Sequence, residues 1–510
     1  MSKTLKLTGA EDVRNVYVTD LSHRAFRAEI DNNDGAISIS LPERPVSVHV
    51  QLVVPNYGLM WTTADNGGHG YEDETELSLL EELAMSRIRR CEKRALTLDF
   101  EEPPDEALEA AWDLYDLGRT MESLHCGILA GEDLEFASAQ FALEVRNFGD
   151  DPPATIASTL FGERLDQYSI GVGPDWLNAA LPPNFLHPRD RWELLTNIFD
   201  GTTLPSFWRW IEFGQGKKNW APVEEILSFC DERGMLTKTF SIFWGGIGGM
   251  PPWFRELAFD EKLKAVEKWT REIVKRLKGR IVCWEISNEM HDWEFANRVI
   301  PKLTHEQAIE ITRLVSELVG SLDPGTPRII NHCSPWGDYI QQGKSGPWVP
   351  LTELDDFVAA GIEFEGIGVQ MYNPGRDLME CIALIDRFAE FGKTIWITEM
   401  GTPSSSLKPE AVETGQIDPT IGWRGPWEQE NQADWIEMFF TMALSRTCVK
   451  NITYWDFDDE RAFIRHAGLL DEEGTPKESY ERLMEFCIRY SVGGSAGSAG
   501  SAGSAGSADF

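Results

Sequence analysis

Apolar and polar residues alternate with a period of two over the first part of the chain, as in Val46-Ser-Val-His-Val-Gln-Leu-Val-Val54 before Pro55-Asn56. Turn signals at Asn32-Asn-Asp-Gly35 and Asp65-Asn-Gly-Gly68 divide such runs. Alternation bounded by Gly, Asn and Asp marks half-buried antiparallel strands. Residues 1–72 are therefore expected to form an N-terminal β-rich, sandwich-like domain. Over 73–159 the period lengthens to that of a helix, in Glu/Leu/Ala/Arg-rich stretches at 77–94, 104–117 and 134–146. This span reads as a helical connector. From 160 to 490 the pattern becomes strand, loop and helix in repetition. Strand candidates are 168–172, 195–200, 236–244, 281–288, 328–333, 364–371, 394–399 and 452–457, with amphipathic stretches such as 221–232, 260–277, 306–322 and 428–446 between them. Eight such units predict an α/β fold, a (β/α)8 TIM barrel. Long insertions follow strand five (334–351) and strand seven (401–427), both at the barrel's C-terminal face. The Ser-Ala-Gly repeats of 491–510 read as a flexible linker or tag outside the fold.

Composition narrows the partners. The 510 residues hold 47 basic and 83 acidic side chains, a net charge of −36. Little basic surface is left to hold phosphates, which argues against nucleic acid or an anionic membrane as the partner. The 19 tryptophans fit a carbohydrate substrate, because the flat C–H faces of sugar rings stack on indole, although many must also serve as core. The eight cysteines are scattered, with no paired spacing and no histidines at zinc-finger spacing. Neither a metal nor another cofactor is expected. The first residues, Met-Ser-Lys-Thr-Leu-Lys, lack an apolar signal region, and no run is long enough to span a bilayer. The chain is expected to be cytoplasmic, or secreted with its signal removed. Its oligomeric state is not legible.

The chemistry is concentrated in two glutamates. Ile281-Val-Cys-Trp-Glu-Ile-Ser-Asn-Glu289 and Thr394-Ile-Trp-Ile-Thr-Glu399 are short apolar runs, each ending in a carboxylate. Such runs read as strands buried on both faces, so each glutamate stands where a strand opens onto the catalytic face of a barrel. Strands four and seven face each other across the mouth. Two carboxylates placed there are the equipment of a glycosidase, one donating a proton and one attacking the sugar.

Several segments resemble glycoside hydrolase family 10, the xylanase family of the retaining clan A. Trp284-Glu-Ile-Ser-Asn-Glu289 resembles its acid/base motif, Gly366-Ile-Gly-Val-Gln370 its strand-six motif and Ile397-Thr-Glu399 its nucleophile motif. Thr453-Tyr-Trp-Asp-Phe-Asp458, Gly468-Leu-Leu-Asp471 and Pro476-Lys-Glu-Ser-Tyr480 are similar to its closing segment. Weaker similarity covers 199–210 and 234–253, and the whole spans about 165–488. The resemblance implies Glu289 as acid/base and Glu399 as nucleophile. It further implies Asn288 on the sugar 2-hydroxyl, Gln370 orienting the nucleophile side, and Trp455 flooring the sugar next to the cleaved bond. Trp244 joins these as a binding candidate.

The departures concern the sugar-binding shell. Pro205-Ser206 stand where the family has Glu-Asn, and Arg209 stands for its Lys. Phe240 and Gly245 replace histidines, Tyr372 replaces the histidine that contacts the nucleophile, Gly401 an Asp and Phe463 a Trp. A Tyr372 hydroxyl is expected to donate to Glu399 in the lost histidine's place, and Arg209 to grip hydroxyls or a sugar acid, or else to pair with a carboxylate. Trp423 and Trp427 in the strand-seven insertion either wall the cleft by stacking on sugar or pack as ordinary loop residues. His332, taken to end strand five on the inner face, either lines the site or is buried and hydrogen-bonded. The leading expectation is an endo-1,4-β-xylanase-like retaining hydrolase. An exo-acting β-glycosidase on another oligosaccharide or glycoconjugate is the alternative. A carbohydrate-binding protein without turnover is disfavoured, because binding alone would not require both glutamates and Asn288.

Overall fold

The computed structural model describes residues 3–33, 35–97, 105–146, 148, 153–162, 185–212, 214–246, 249–291, 303–341, 348–372, 375–406 and 421–494. Two four-stranded sheets open the chain. One runs Ile30–Asn33, Ala36–Ser40, Thr4–Thr8, Thr75–Ser78, the other Ala25–Phe26, Asn15–Asp20, Val46–Val54, Gly58–Ala64. Pairing is antiparallel except between Thr4–Thr8 and Thr75–Ser78. The alternation read from the sequence is realised as burial: Leu5, Leu7, Ile37, Ile39, Val48 and Val50 are fully enclosed.

Helices Leu79–Thr97, Asp105–Asp116 and Thr120–Val145 follow. They are fastened to the barrel by buried polar groups. Arg87, on the first, donates to Asp377 at 3.1 Å, and Asp377 caps the barrel helix Leu378–Ala389. Glu132, on the third, accepts from the Tyr57 hydroxyl at 2.7 Å, Trp423 Nε1 at 2.8 Å and the Leu378 N–H at 3.0 Å. One carboxylate thus joins the N-terminal sheet, the connector, the loop after strand seven and a barrel helix. A buried carboxylate needs such saturation to offset its desolvation.

The barrel strands are Thr155–Thr159, Gly201–Leu204, Leu236–Thr239 with Phe243–Trp244, Trp284–Asn288, Arg328–His332, Gly366–Gln370, Thr394–Met400 and Val449–Tyr454. All neighbours pair in parallel. Strand three is split: its first piece pairs with strand two, its second with strand four, and a bridge from Lys238 to Cys283 closes the ring. This is the (β/α)8 barrel. Strand one lies upstream of residue 160, within the span expected to be connector, and the segment 168–172 falls outside the described residues. Strand two is also displaced: residues 189–196 are helical, and the strand is Gly201–Leu204.

The interior carries a polar layer. Lys238 Nζ sits 3.1 Å from Glu285 Oε2, with side chains only 3% and 0% exposed. Asn331 Nδ2 reaches Glu285 Oε1 at 3.5 Å, and Asn331 Oδ1 accepts from Thr398 Oγ1 at 2.6 Å. Strand six passes this layer as Gly368, where an added Cβ would lie 2.7 Å from Asn331 Oδ1. Glycine is required by that close approach.

Candidate active site

Glu399 lies within strand seven, and Glu289 directly follows strand four. Glu399 is 6% exposed. Its Oε1 accepts from Asn331 Nδ2 at 3.3 Å and its Oε2 from the Tyr372 hydroxyl at 3.3 Å. Glu289 is half-buried and has φ of +53°, a left-handed conformation that costs a non-glycine residue about 1–2 kcal/mol. Its N–H still donates to Asn331 O at 3.0 Å, so the ladder with strand five runs up to this strained residue. Strand six links the two carboxylates. Gln370 Nε2 donates to Glu289 Oε1 at 2.6 Å, while Gln370 lies in register with Glu399 on strand seven. Acidic groups remote in sequence therefore meet around one glutamine.

The remaining candidates separate into two groups. Asn288 is buried, pairs in register with Trp244, and among the described residues its Oδ1 has no hydrogen-bond partner. Trp455 tilts against Phe240 at 5.0 Å, Phe240 packs on Phe207 at 3.9 Å, and Phe207 on the half-buried Trp244 at 5.2 Å. An aromatic wall thus runs from strand eight to strand three, where the family resemblance led one to look for polar sugar ligands. Ser206 turns its hydroxyl onto Phe240 O at 3.2 Å. Arg209 is buried in the short helix Trp208–Ile211, its N–H donating to Gly249 O at 3.1 Å.

Four expectations are corrected. Gln370 bonds to Glu289, the acid/base candidate, through its side chain, while Asn331 and Tyr372 donate to Glu399. Trp423 and Trp427 are core residues, 1% and 3% exposed, and do not wall the cleft. The reason is that the N-terminal sheet seizes their loop: Gly422 N–H donates to Tyr57 O at 2.8 Å and Gly425 N–H to Asn56 O at 2.7 Å. His332 faces outward rather than inward, and of its two expected roles it takes the buried, hydrogen-bonded one. Side chains alternate along a strand, Asn331 takes the inner position, and His332 packs toward Glu353 of helix Pro350–Ala359 and Phe388.

Sequence reading missed Asn331, the Lys238–Glu285 pair and Asp456. The Asp456 Oδ1 accepts from the Phe463 N–H at 2.6 Å and its Oδ2 from the Ile464 N–H at 3.0 Å. Oδ2 also lies 3.4 Å from where a Cβ on Gly401 would stand. A carboxyl just past the end of strand eight thus fills space beside Gly401, two residues beyond Glu399. Burial pushes Asp456 up to about 7 from its ordinary 3.8, against the two backbone bonds that favour the ionised form. The folded chain therefore holds a proton that the unfolded chain releases between these values. This contribution to stability is complete below the unfolded pKa and is lost as pH rises, by up to about 1.4 kcal/mol per unit. Asp456→Asn is expected to flatten the plot of thermal midpoint against pH between about 4 and 7; an unchanged slope would refute the assignment.

A parallel barrel presenting two carboxylates around its mouth, one held by amide and phenol donors and one on a strained strand end, is the architecture of a glycoside hydrolase. The family profile described as Glycosyl hydrolase family 10 matches residues 188–315 and 335–486. The chain belongs to glycosyl hydrolase family 10. Endo-1,4-beta-xylanase 3 of Arabidopsis thaliana is 24% identical over 283 residues, which cover 54% of this chain and 33% of the relative. The chain thus spans about a third of that protein's length. Endo-1,4-beta-xylanase B of Thermotoga neapolitana is 23% identical over 299 residues, covering 54% of this chain and 77% of the relative. Among solved structures, native xylanase 10B from Thermotoga maritima is 20% identical, covers 66% of this chain and 96% of its own, and superposes with a TM-score of 0.47. Among the described residues no helix is long and apolar enough to cross a membrane.

Proposed function

We propose that this xylanase-like hydrolase cleaves β-1,4-linked xylan-type chains internally and with retention, Glu399 acting as nucleophile and Glu289 as acid/base. The observation that carries the reading is Gln370, whose side chain donates to Glu289 while its backbone pairs in register with Glu399. Glu289 protonates the departing glycosidic oxygen as Glu399 attacks the anomeric carbon. Once Glu399 is esterified its negative charge is gone, so Glu289 ionises more readily and draws a proton from the incoming water. The Asn288 carbonyl accepts from the sugar 2-hydroxyl, a bond that strengthens as positive charge grows on the ring. The names of the relatives support xylan as the substrate.

One observation favours a second reading, a retaining β-glycosidase acting on another glycan or glycoconjugate. The Phe207–Phe240–Trp244–Trp455 wall offers stacking surface and few hydroxyl ligands. A panel of xylan, other plant β-glycans and aryl β-glycosides separates the two, with the anomer formed first followed by proton NMR. The expected result is xylan cleavage to mixed oligomers, the β-anomer appearing before mutarotation. Xylan left intact beside rapid turnover of an aryl glycoside would select the second reading. First release of the α-anomer would overturn both.

A further inference from the structure

Behind strands four and five, on the side away from the barrel interior, lies a cluster that the glycosidase chemistry does not use. His291 sits two residues beyond Glu289, His332 ends strand five, and Glu353 belongs to helix Pro350–Ala359. All three are fully buried. One ligand atom from each lies within 4.8 Å of the others. His332 Nε2 is 2.8 Å and His291 Nδ1 3.3 Å from the same oxygen, Glu353 Oε2.

The outer ring nitrogens decide the protonation. His291 Nε2 is 2.9 Å from Cys333 O, and His332 Nδ1 is 3.3 Å from Gly368 O. A carbonyl oxygen only accepts, so each outer nitrogen is the N–H donor. A neutral ring then presents a bare lone pair inward, and both inward lone pairs confront a carboxylate oxygen. Three electron-pair donors aimed at one place repel unless a proton or a metal cation stands among them. Histidines that ligate metals show this arrangement, the far ring N–H tied to a backbone carbonyl and the near nitrogen left to the ion. A second observation points the same way: among the described residues Glu353 Oε1, fully enclosed, has no hydrogen-bond partner. Two atoms each bound at about 2.0–2.1 Å to a tetrahedral ion lie about 3.3 Å apart; the His291–Glu353 separation of 3.3 Å matches this, while the His332–Glu353 separation of 2.8 Å is of hydrogen-bond length and would have to open around an ion.

We propose that His291, His332 and Glu353 form a structural site for a divalent transition ion, zinc fitting the two-imidazole, one-carboxylate donor set. The ion ties the segment after Glu289 to strand five and to the helix behind it. It stands outside the barrel, so it positions the acid/base strand end and touches no substrate. No spacing motif joins the three ligands, and the site exists only once strand and helix are packed.

The test uses the full chain, stripped with a chelator, incubated with zinc and desalted, with bound metal read by mass spectrometry. Wild type is expected to retain about one zinc per chain, and Glu353→Gln and His332→Gln to fall to background. Cobalt(II) added to the stripped wild type is expected to give visible ligand-field bands that zinc abolishes. Wild type that retains no zinc overturns the proposal and leaves the cluster a proton-bridged ion pair. Glu353→Gln that binds as wild type does also overturns it. Should the variants not fold, the cobalt titration of wild type decides: bands at one equivalent support the site, and their absence overturns it.

Discussion

Glu399→Ala is expected to lower kcat/KM on the best substrate by at least about 10³-fold, the order seen when a covalent route is removed. Under the proposed mechanism the substitution takes away the atom that attacks the anomeric carbon, and no other carboxylate among the described residues is bonded to both Asn331 and Tyr372. The fold is expected to survive. The two donors left behind face the space the carboxylate vacates, where water can satisfy them. A small anion such as azide, able to enter the vacated space, should restore part of the turnover on substrates with good leaving groups. Comparison of wild type and variant by initial rates and by thermal midpoint separates lost chemistry from lost structure. A variant within tenfold of wild type would remove Glu399 from the mechanism.

The second large effect falls on stability. Lys238→Met is expected to cost about 3–5 kcal/mol, because it strands Glu285 as an unpaired carboxylate inside the barrel. Burial already raises the Glu285 carboxyl, with Lys238 the main opposing influence. Without the lysine the folded-state pKa climbs further above the unfolded one. By linkage, the stability lost is then smallest in acid, where Glu285 is protonated in both states, and grows as pH rises through the folded value. The double variant Lys238→Met, Glu285→Leu should recover much of the loss, since an apolar replacement of a buried pair is often neutral. Denaturant titrations at acidic and alkaline pH test this; a single-variant cost that is small and independent of pH would refute it. Asn331 contacts both Glu285 and Glu399, so the single variant should also lower turnover by more than its unfolded fraction explains.

Much of this fold was legible because barrel strands three to eight are apolar enough to stand out. The two catalytic candidates were legible for the same reason, each closing such a run. Strands one and two were misplaced because Thr155–Thr159 and Gly201–Leu204 are made of small and hydroxyl-bearing residues that line the ring without an apolar signature. The apolar stretch nearest strand two belongs instead to the helix Arg189–Thr196 and the turn after it. His332 and Asn331 are adjacent, and a one-residue choice of register decides which of them faces the mouth. Trp423 and Trp427 show a different limit. Their loop reads as a cleft wall until Tyr57 and Glu132, hundreds of residues upstream, are folded against it. The N-terminal sheet thus acts as a buttress for the catalytic face, also meeting the strand-six loop where the Trp61 N–H donates to Gly375 O at 3.0 Å.

In the proposed mechanism a sugar becomes covalently attached to Glu399 while Glu289 serves the leaving group. The most direct measurement is inactivation by a 2-deoxy-2-fluoro xylobioside with a dinitrophenolate leaving group, followed by peptide mapping of the trapped chain. The account predicts one glycosyl adduct, on the peptide holding Ile397-Thr-Glu399 and located on Glu399. An adduct on any other carboxylate, or rapid hydrolysis of substrate by a chain that never carries a label, would contradict it.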